Sequence, residues 1–489
     1  MRARALAALL LVLGATVMAP AQEQDQPHPL ELQQAALAAL QRGEYDEGER
    51  LLRRQIEMQP DNFVAHYNLA CALALQGETE PAVESLKSAI KHGFVDIHQL
   101  QNDPDLASVQ DDATVRAIIE NWDRILEARI EANFESAKQQ YSNGYTYEKD
   151  EALRLAYVSA FDEVSFADAR EEMSLIASWT FEHVLTDLAR PAQGDASQTD
   201  PWVIVILPTR EDFKAWQERL FGPQATLATS EVGGRYDHDS KRLIARDLGA
   251  TLRHEFFHVL HWRDMMRLRQ RHAIWIQEGL GCLVEDFDRQ PDGTLRLTPS
   301  WRTNMAQRLA SAGRLTDIED LARMSHTQFL RSSKLARYAE SRTFFLYLAA
   351  TGKLAEWYKT YTEHYGEDPT GVLATQKLFG EDMDAFQRQY EAWVKALPRV
   401  ADMHEPGPAM LGIDIDPAGG EGLRVTSLVR RRDSGLRLGD IITAIDGRPT
   451  RDLNEMYRVL GDYRPGQTVT VRYRRHRVHG IAEVTLVAR

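Results

Sequence analysis

The stretch TLRHEFFHVLHW, residues 251–262, carries two histidines four positions apart, His254 and His258, with Glu255 directly after the first. A helix completes a turn in 3.6 residues, so both imidazoles fall on one face. At that spacing two Nε2 atoms can reach one zinc ion at about 2.0–2.1 Å. Glu255 projects beside the same point, where it can take a proton from zinc-bound water. The opposing reading is a core helix that happens to carry polar residues. A third protein ligand and an open fourth position would separate the two, because a catalytic zinc needs both.

Downstream lies HAIWIQEGLGCLVEDF, residues 272–287, with Glu278 inside an apolar, helix-patterned run. A carboxylate buried there needs a partner, and coordination to a dication would supply one. Gly279 and Gly281 follow it, small enough to let a second helix approach the first. His261 lies three residues beyond His258, about 4.5 Å further along the axis, and reads as a packed, hydrogen-bonded histidine. Asp264 and Glu285 are the other carboxylates in reach. The first is an alternative third ligand. The second reads as a group that orients a histidine through its other ring nitrogen, or as a surface carboxylate.

The pair RHEFFHVLHW (253–262) and WIQEGLGCLVE (275–285) is similar to the gluzincin branch of the zincins, the thermolysin-like and peptidase-MA-type metallopeptidases. The metzincin pattern is absent, since it needs glycine at 261 and histidine at 264, where this chain has His261 and Asp264. The gluzincin resemblance implies one Zn2+ per chain on His254, His258 and Glu278, with Glu255 as general base. It also implies a sheet edge above the cleft. RLIAR, residues 242–246, is the expected edge, as the second strand of a hairpin begun in GGRYDHDS. ARYAESRTFFLYLAATG (336–352) resembles the tyrosine-bearing helix of such domains and makes Tyr338 the matching oxyanion donor; an ordinary amphipathic tyrosine is the alternative. His238 and Arg253 receive no role. No Gly-x-Met-Glu-Asn stretch precedes the motif, which favours an endopeptidase over an aminopeptidase.

The chain has 489 residues, too many for one core, and two to four domains are expected. Its net charge of −14 argues against a general nucleic-acid role. MRARALAALLLVLGATVMAPAQEQ opens the chain with two arginines, an apolar run and a small-residue site, the layout of a signal peptide over residues 1–21. An uncleaved anchor is the alternative, although the run is short for a spanning helix. The expected location is therefore periplasmic or secreted, with no transmembrane segment after signal removal. Cys71 and Cys282 sit among apolar neighbours in helical patterns and are expected as buried free thiols.

Residues 29–130 read as helix after helix. Gly43 and Gly77 stand 34 residues apart, a period that suits helix-turn-helix repeats. NFVAHYNLACALALQGETEPAVESLKSAI (62–90) resembles a tetratricopeptide repeat, although Gly48 falls where that repeat usually has alanine. Such repeats serve either as a peptide-binding groove or as a packing module. More amphipathic helices are expected from Glu131, before the linker ARPAQGDASQTDP and the buried strand WVIVILPT (202–209), with helices again from Trp301 to Leu397.

Residues 407–489 change character, with short β-rich runs around one helix, RDLNEMYRVLG. MLGIDI (410–415) and SGLRLGDIITAIDGRPT (434–450) resemble a PDZ domain of the bacterial type. That likeness implies peptide binding at Leu411, Gly412 and Ile413, where backbone N–H groups would hold a C-terminal carboxylate. RYRRHR (472–477) reads as a solvated strand face.

The expected architecture is thus multidomain α+β: helical repeats at 29–130, a zincin domain of small sheet plus helices at 131–400, and a PDZ β-barrel-like domain at 407–489. The expected function is an exported zinc endopeptidase acting on peptides or proteins. The alternative is a catalytically silent zincin-fold envelope scaffold that binds peptides or proteins through its repeats and PDZ module.

Overall fold

The structure, a computed structural model, describes residues 29–141, 144–186, 200–221, 234–237, 241–331, 333–417, 420–429 and 435–489. The expected signal peptide, nearly all of the linker after Ala189 and His238 lie outside these residues. Two compact units share the chain, one reaching to Ala132 with the short stretch Ala196–Pro201, the other holding the remainder. The architecture is multidomain α+β, with a helical N-terminal region and a C-terminal sheet domain. No helix among the described residues is long and apolar enough to cross a membrane.

In the first unit α1 (Pro29–Gln41), α2 (Tyr45–Met58), α3 (Phe63–Gln76) and α4 (Thr79–His92) pack in succession. Gly43 and Gly77 make the tight turns within the pairs, at φ 78° and 81°, a conformation that glycine adopts without steric cost. Gly48 has its own reason: a Cβ there would stand 2.6 Å from Leu40 Cδ2, so α1 and α2 meet at this point. α5 (Ile97–Asn102), α6 (Ala113–Glu120) and α7 (Trp122–Tyr141) follow. Tyr67, Leu73, Leu86, Phe94 and Trp122 form the buried centre.

The second unit begins at Asn133, within α7, and continues with a hairpin, β1 (Thr146–Asp150) and β2 (Leu155–Ser159), in a segment whose pattern predicts helices. Buried Leu155, Tyr157 and their neighbours read equally well at either period, and tertiary packing decides for strand. α8 (Glu163–His183), β3 (Trp202–Ile206), α9 (Arg210–Phe221), β4 (Gly234–Asp237) and β5 (Arg242–Ala245) continue the chain. The strands lie in the order β1-β2-β3-β5-β4. β2, β3 and β5 are parallel, and β1 and β4 close the two sides antiparallel. The expected edge is thereby corrected: RLIAR lies inside the sheet, between β3 and β4, and GRYD is the edge. Every residue of β3 is buried, as a parallel strand covered on both faces requires.

α10 (Ala250–Leu268) and α11 (Ile274–Leu283) come next, then the small hairpin β6 (Phe287–Arg289) and β7 (Leu295–Leu297). The helical layer is α12 (Trp301–Ser311), α13 (Ile318–Ala322), α14 (His326–Arg331), α15 (Lys334–Ala350), α16 (Leu354–Glu363), α17 (Val372–Phe379) and α18 (Met383–Ala396). Trp275 of α11 is fully buried among the rings of Phe344, Phe345 and Trp357, which locks α11 against α15. Burial of such rings contributes roughly 2–3 kcal/mol each.

The C-terminal domain contains β8 (Ala409–Met410), β9 (Ile413–Asp416), β10 (Leu423–Leu428), β11 (Ile441–Ile445), β12 (Arg448–Pro449), α19 (Leu453–Leu460), β13 (Thr468–Arg475), β14 (Val478–Thr485) and β15 (Val487–Ala488). Its main sheet runs β14-β13-β11-β10-β9, while β15 pairs with β8. Leu411 and Ile413 share a core with Met456 and Leu460 of α19. The RYRRHR stretch is half-exposed, with His476 and Arg477 exposed, and its arginines are also ion-paired. Arg472 meets Asp168, Arg474 meets Glu421 and Asp162, and Arg475 meets Asp440.

Candidate metal centre

The loop Arg246–Gly249 carries the chain from β5 into α10, and Gly249 starts the helix. α10 is buried along most of its length and presents His254 and His258 on one face. α11 crosses it and brings Glu278. His254 Nε2 lies 3.0 Å from His258 Nε2 and 3.2 Å from Glu278 Oε2, and His258 Nε2 lies 3.9 Å from the same oxygen. Two ring nitrogens and a carboxylate oxygen, all within 4.8 Å of one another, form a donor set that one cation can share.

The crossing is close because of two glycines that act in different directions. Gly281 faces α10, where His254 packs on it, and Gly279 faces Phe345 and Ser341 of α15. Both glycines were expected at the contact between α10 and α11, and only Gly281 lies there.

Glu285 is 2.9 Å from His254 Nδ1, and Arg302 holds it bidentately at 2.7 and 2.9 Å. A carboxylate so placed fixes the ring and directs Nε2 toward the donor set. Burial opposes ionisation of Glu285, yet Arg302 and His254 hold its pKa well below the usual carboxylate range. Burial likewise opposes ionisation of Glu278, but His254, His258 and a hydrogen bond from Tyr338 bring it down to about 2. His258 is pushed down to about 4, by burial first and then by the neighbouring imidazole. It is thus neutral at pH 7, the form in which a histidine ligates.

Glu255 is buried beside this group, and burial pushes its pKa up to about 7, with Glu278 and Glu285 adding to the rise and His254 opposing it. Edge strand β4 passes directly over it: a Cβ on Gly234 would stand 2.4 Å from Glu255 Cγ. The Tyr338 ring lies 6.3 Å from that of His254, and its hydroxyl bonds to Glu278.

The remaining polar residues of α10 lie elsewhere. His261 is fully buried, with Nε2 2.8 Å from His272 Nδ1. Asp264 accepts from Arg267 at 2.7 Å and from the Tyr358 hydroxyl at 2.7 Å, which leaves it outside the donor set. Cys282 stands with His254 and Glu285 in a second buried group. Arg302 already occupies Glu285 there, so this group supports the first. Both cysteines are buried and free. Arg253, without a role from its spacing, donates to Glu172 at 2.9 Å and to Glu455.

A PDZ-domain family model matches residues 409–486, so this segment is a PDZ domain. No curated protein matches the sequence. Among solved structures, the chain is similar to an aminopeptidase N family protein of Idiomarina loihiensis, at 14% identity and a TM-score of 0.26. The match covers 70% of this chain and 66% of that one, so the chain spans just under two thirds of that protein. At this level the likeness carries no argument about activity.

Proposed function

We propose that this chain is an exported zinc-dependent metallopeptidase, with His254, His258 and Glu278 as the ion's ligands. The observation that carries the reading is the meeting of these three side chains beside the buried carboxyl group of Glu255. Two imidazoles and one carboxylate suit zinc, and the buttressing of His254 by Glu285 is the outer support that such ligands need. Zinc, when bound, supplies a Lewis acid that polarises the scissile carbonyl and lowers the pKa of water.

The chain's own residues do the rest. Glu255 accepts the proton of the attacking water on its carboxylate and returns it to the leaving amine, as base and then acid. Tyr338, beside Glu278, is the donor assigned to the oxyanion. β4 offers its outer edge to an extended substrate, and Gly234, lacking a side chain, lets this strand lie directly against Glu255. The PDZ domain holds peptide ends at Leu411, Gly412 and Ile413, and the N-terminal helices form tetratricopeptide-like repeats. Residues 1–21 direct export to the periplasm or beyond.

The test is cleavage of an unfolded protein by the purified chain, beside zinc content measured on the same samples. Zinc near one per chain, cleavage by the natural sequence and none by Glu255→Gln would support the reading. Equal cleavage by both, or zinc bound without cleavage by either, would reject the enzyme. Full zinc retention by Glu278→Ala would reject the ligand set.

A further inference from the structure

Arg253 immediately precedes the first candidate ligand and enters a group of four buried charges. Its Nη1 donates to Glu172 Oε2 at 2.9 Å and its Nη2 donates to Glu455 Oε1. Arg451 Nη1 donates to the same Glu172 oxygen at 2.6 Å, and the Arg451 backbone N–H donates to Glu455 Oε2 at 2.7 Å. Glu172 belongs to α8 and Arg253 to α10, whereas Arg451 and Glu455 belong to the PDZ domain, at the start of α19. All four side chains are at least nine-tenths buried.

A second junction lies just before β10. The Leu248 N–H donates to the Gly420 carbonyl at 2.7 Å, and a Cβ on Gly420 would stand 2.3 Å from the Arg246 carbonyl oxygen. Beside it the Ser165 hydroxyl donates to Glu421 at 2.9 Å. β9 and α19 are the two walls between which a PDZ domain takes a peptide end. One short segment, residues 246–253, leads into His254 and meets the PDZ domain twice. The groove wall α19 reaches it through Glu455, and the turn before β10 touches it through Gly420.

We infer that the PDZ groove and the ion site are coupled through Arg253, so that an ion held by His254, His258 and Glu278 stiffens the groove. The inference rests on the ion reading given above. A buried ion group resists sliding, because separating one pair leaves a charge in a low-dielectric interior. The exposed contact of Arg472 with Asp168 has no such hold, since water and salt screen it. The sign also follows. An ion fixes the first turns of α10, Arg253 passes that order to α19, and a wall already ordered loses less freedom when a peptide joins it. By reciprocity, a peptide in the groove raises the affinity for the ion.

Hydrogen exchange of the full chain, with and without added zinc, tests this without a known peptide. Zinc binding is checked in parallel by competition with a chelator. Zinc should slow exchange in α10 and also in residues 453–460, the latter by about fivefold, the low end of ordinary coupling between sites. In Glu455→Gln the effect on α10 should remain and that on 453–460 should vanish, whereas Arg472→Gln should retain both. Should Glu455→Gln fail to fold, the natural sequence decides alone. Protection confined to α10 overturns the coupling and leaves the ion reading intact. Absence of zinc binding rejects the ion reading and the coupling with it.

Discussion

Gly281 lies flat against the imidazole of His254: a Cβ added there would stand 3.0 Å from Cε1 and 3.1 Å from Nδ1. The missing side chain of one helix therefore sets the position of a ring on the other. Glu285 and Arg302 hold the same ring at its Nδ1 end.

Gly281→Ala should displace that ring by a few tenths of an ångström while leaving the rest of α11 in place. Zinc affinity should fall by about tenfold, the loss expected when a ligand's support is disturbed. Competition with a chelator measures it, and an unchanged affinity would show that the ring position does not matter.

Gly279→Ala should act differently. Its Cβ would stand 2.6 Å from the Phe345 ring and 2.9 Å from Ser341, in a packed interior. Overpacking of this kind costs about 1–3 kcal/mol. Urea denaturation should register the loss, with zinc affinity of the folded fraction little altered.

Glu285→Gln removes the anion between buried His254 and Arg302, whose side chain is 11% exposed. Zinc affinity should drop by roughly 10- to 100-fold. Arg302, left facing a neutral amide, should lower stability by about 3 kcal/mol in denaturant titrations. Unaltered zinc binding in this variant would remove Glu285 from the support of the site.

The ion-free chain should show opposite acid and base limbs in its stability. The folded pKa of Glu255 is raised from 4.5 to about 7, so the fold favours its protonated form. That contribution is present below pH 4.5 and is lost as pH rises through 7, by about 3 kcal/mol at most. Glu278, held at about 2, behaves in reverse: its contribution is present above 4.5 and is lost as pH falls towards 2. Denaturation of ion-free natural protein and Glu255→Gln at pH 5 and pH 8 isolates the first limb. The natural protein should lose more stability between the two values.

The meeting of His254, His258 and Glu278 was largely legible because its parts obey local rules: a four-residue spacing on one helix and a carboxylate in an apolar helical run. The PDZ segment was legible through its turn residues and short β-rich runs. What escaped notice depends on distance in the chain. Arg253 meets Glu172 and Glu455, 81 and 202 positions away, and no periodicity reports such partners. The same holds for Arg472 and Asp168. The edge strand was misplaced because alternation marks a strand without saying which neighbours it has. β1 and β2 were read as helix because short apolar runs suit either period.

Gly234 remains. A methyl group at 234 would press on Glu255 Cγ from 2.4 Å, so Gly234→Ala must push aside either that carboxyl-bearing side chain or the strand. Gly234 is no member of the donor set, so this one position is a handle on the placement of Glu255 apart from the three candidate donors.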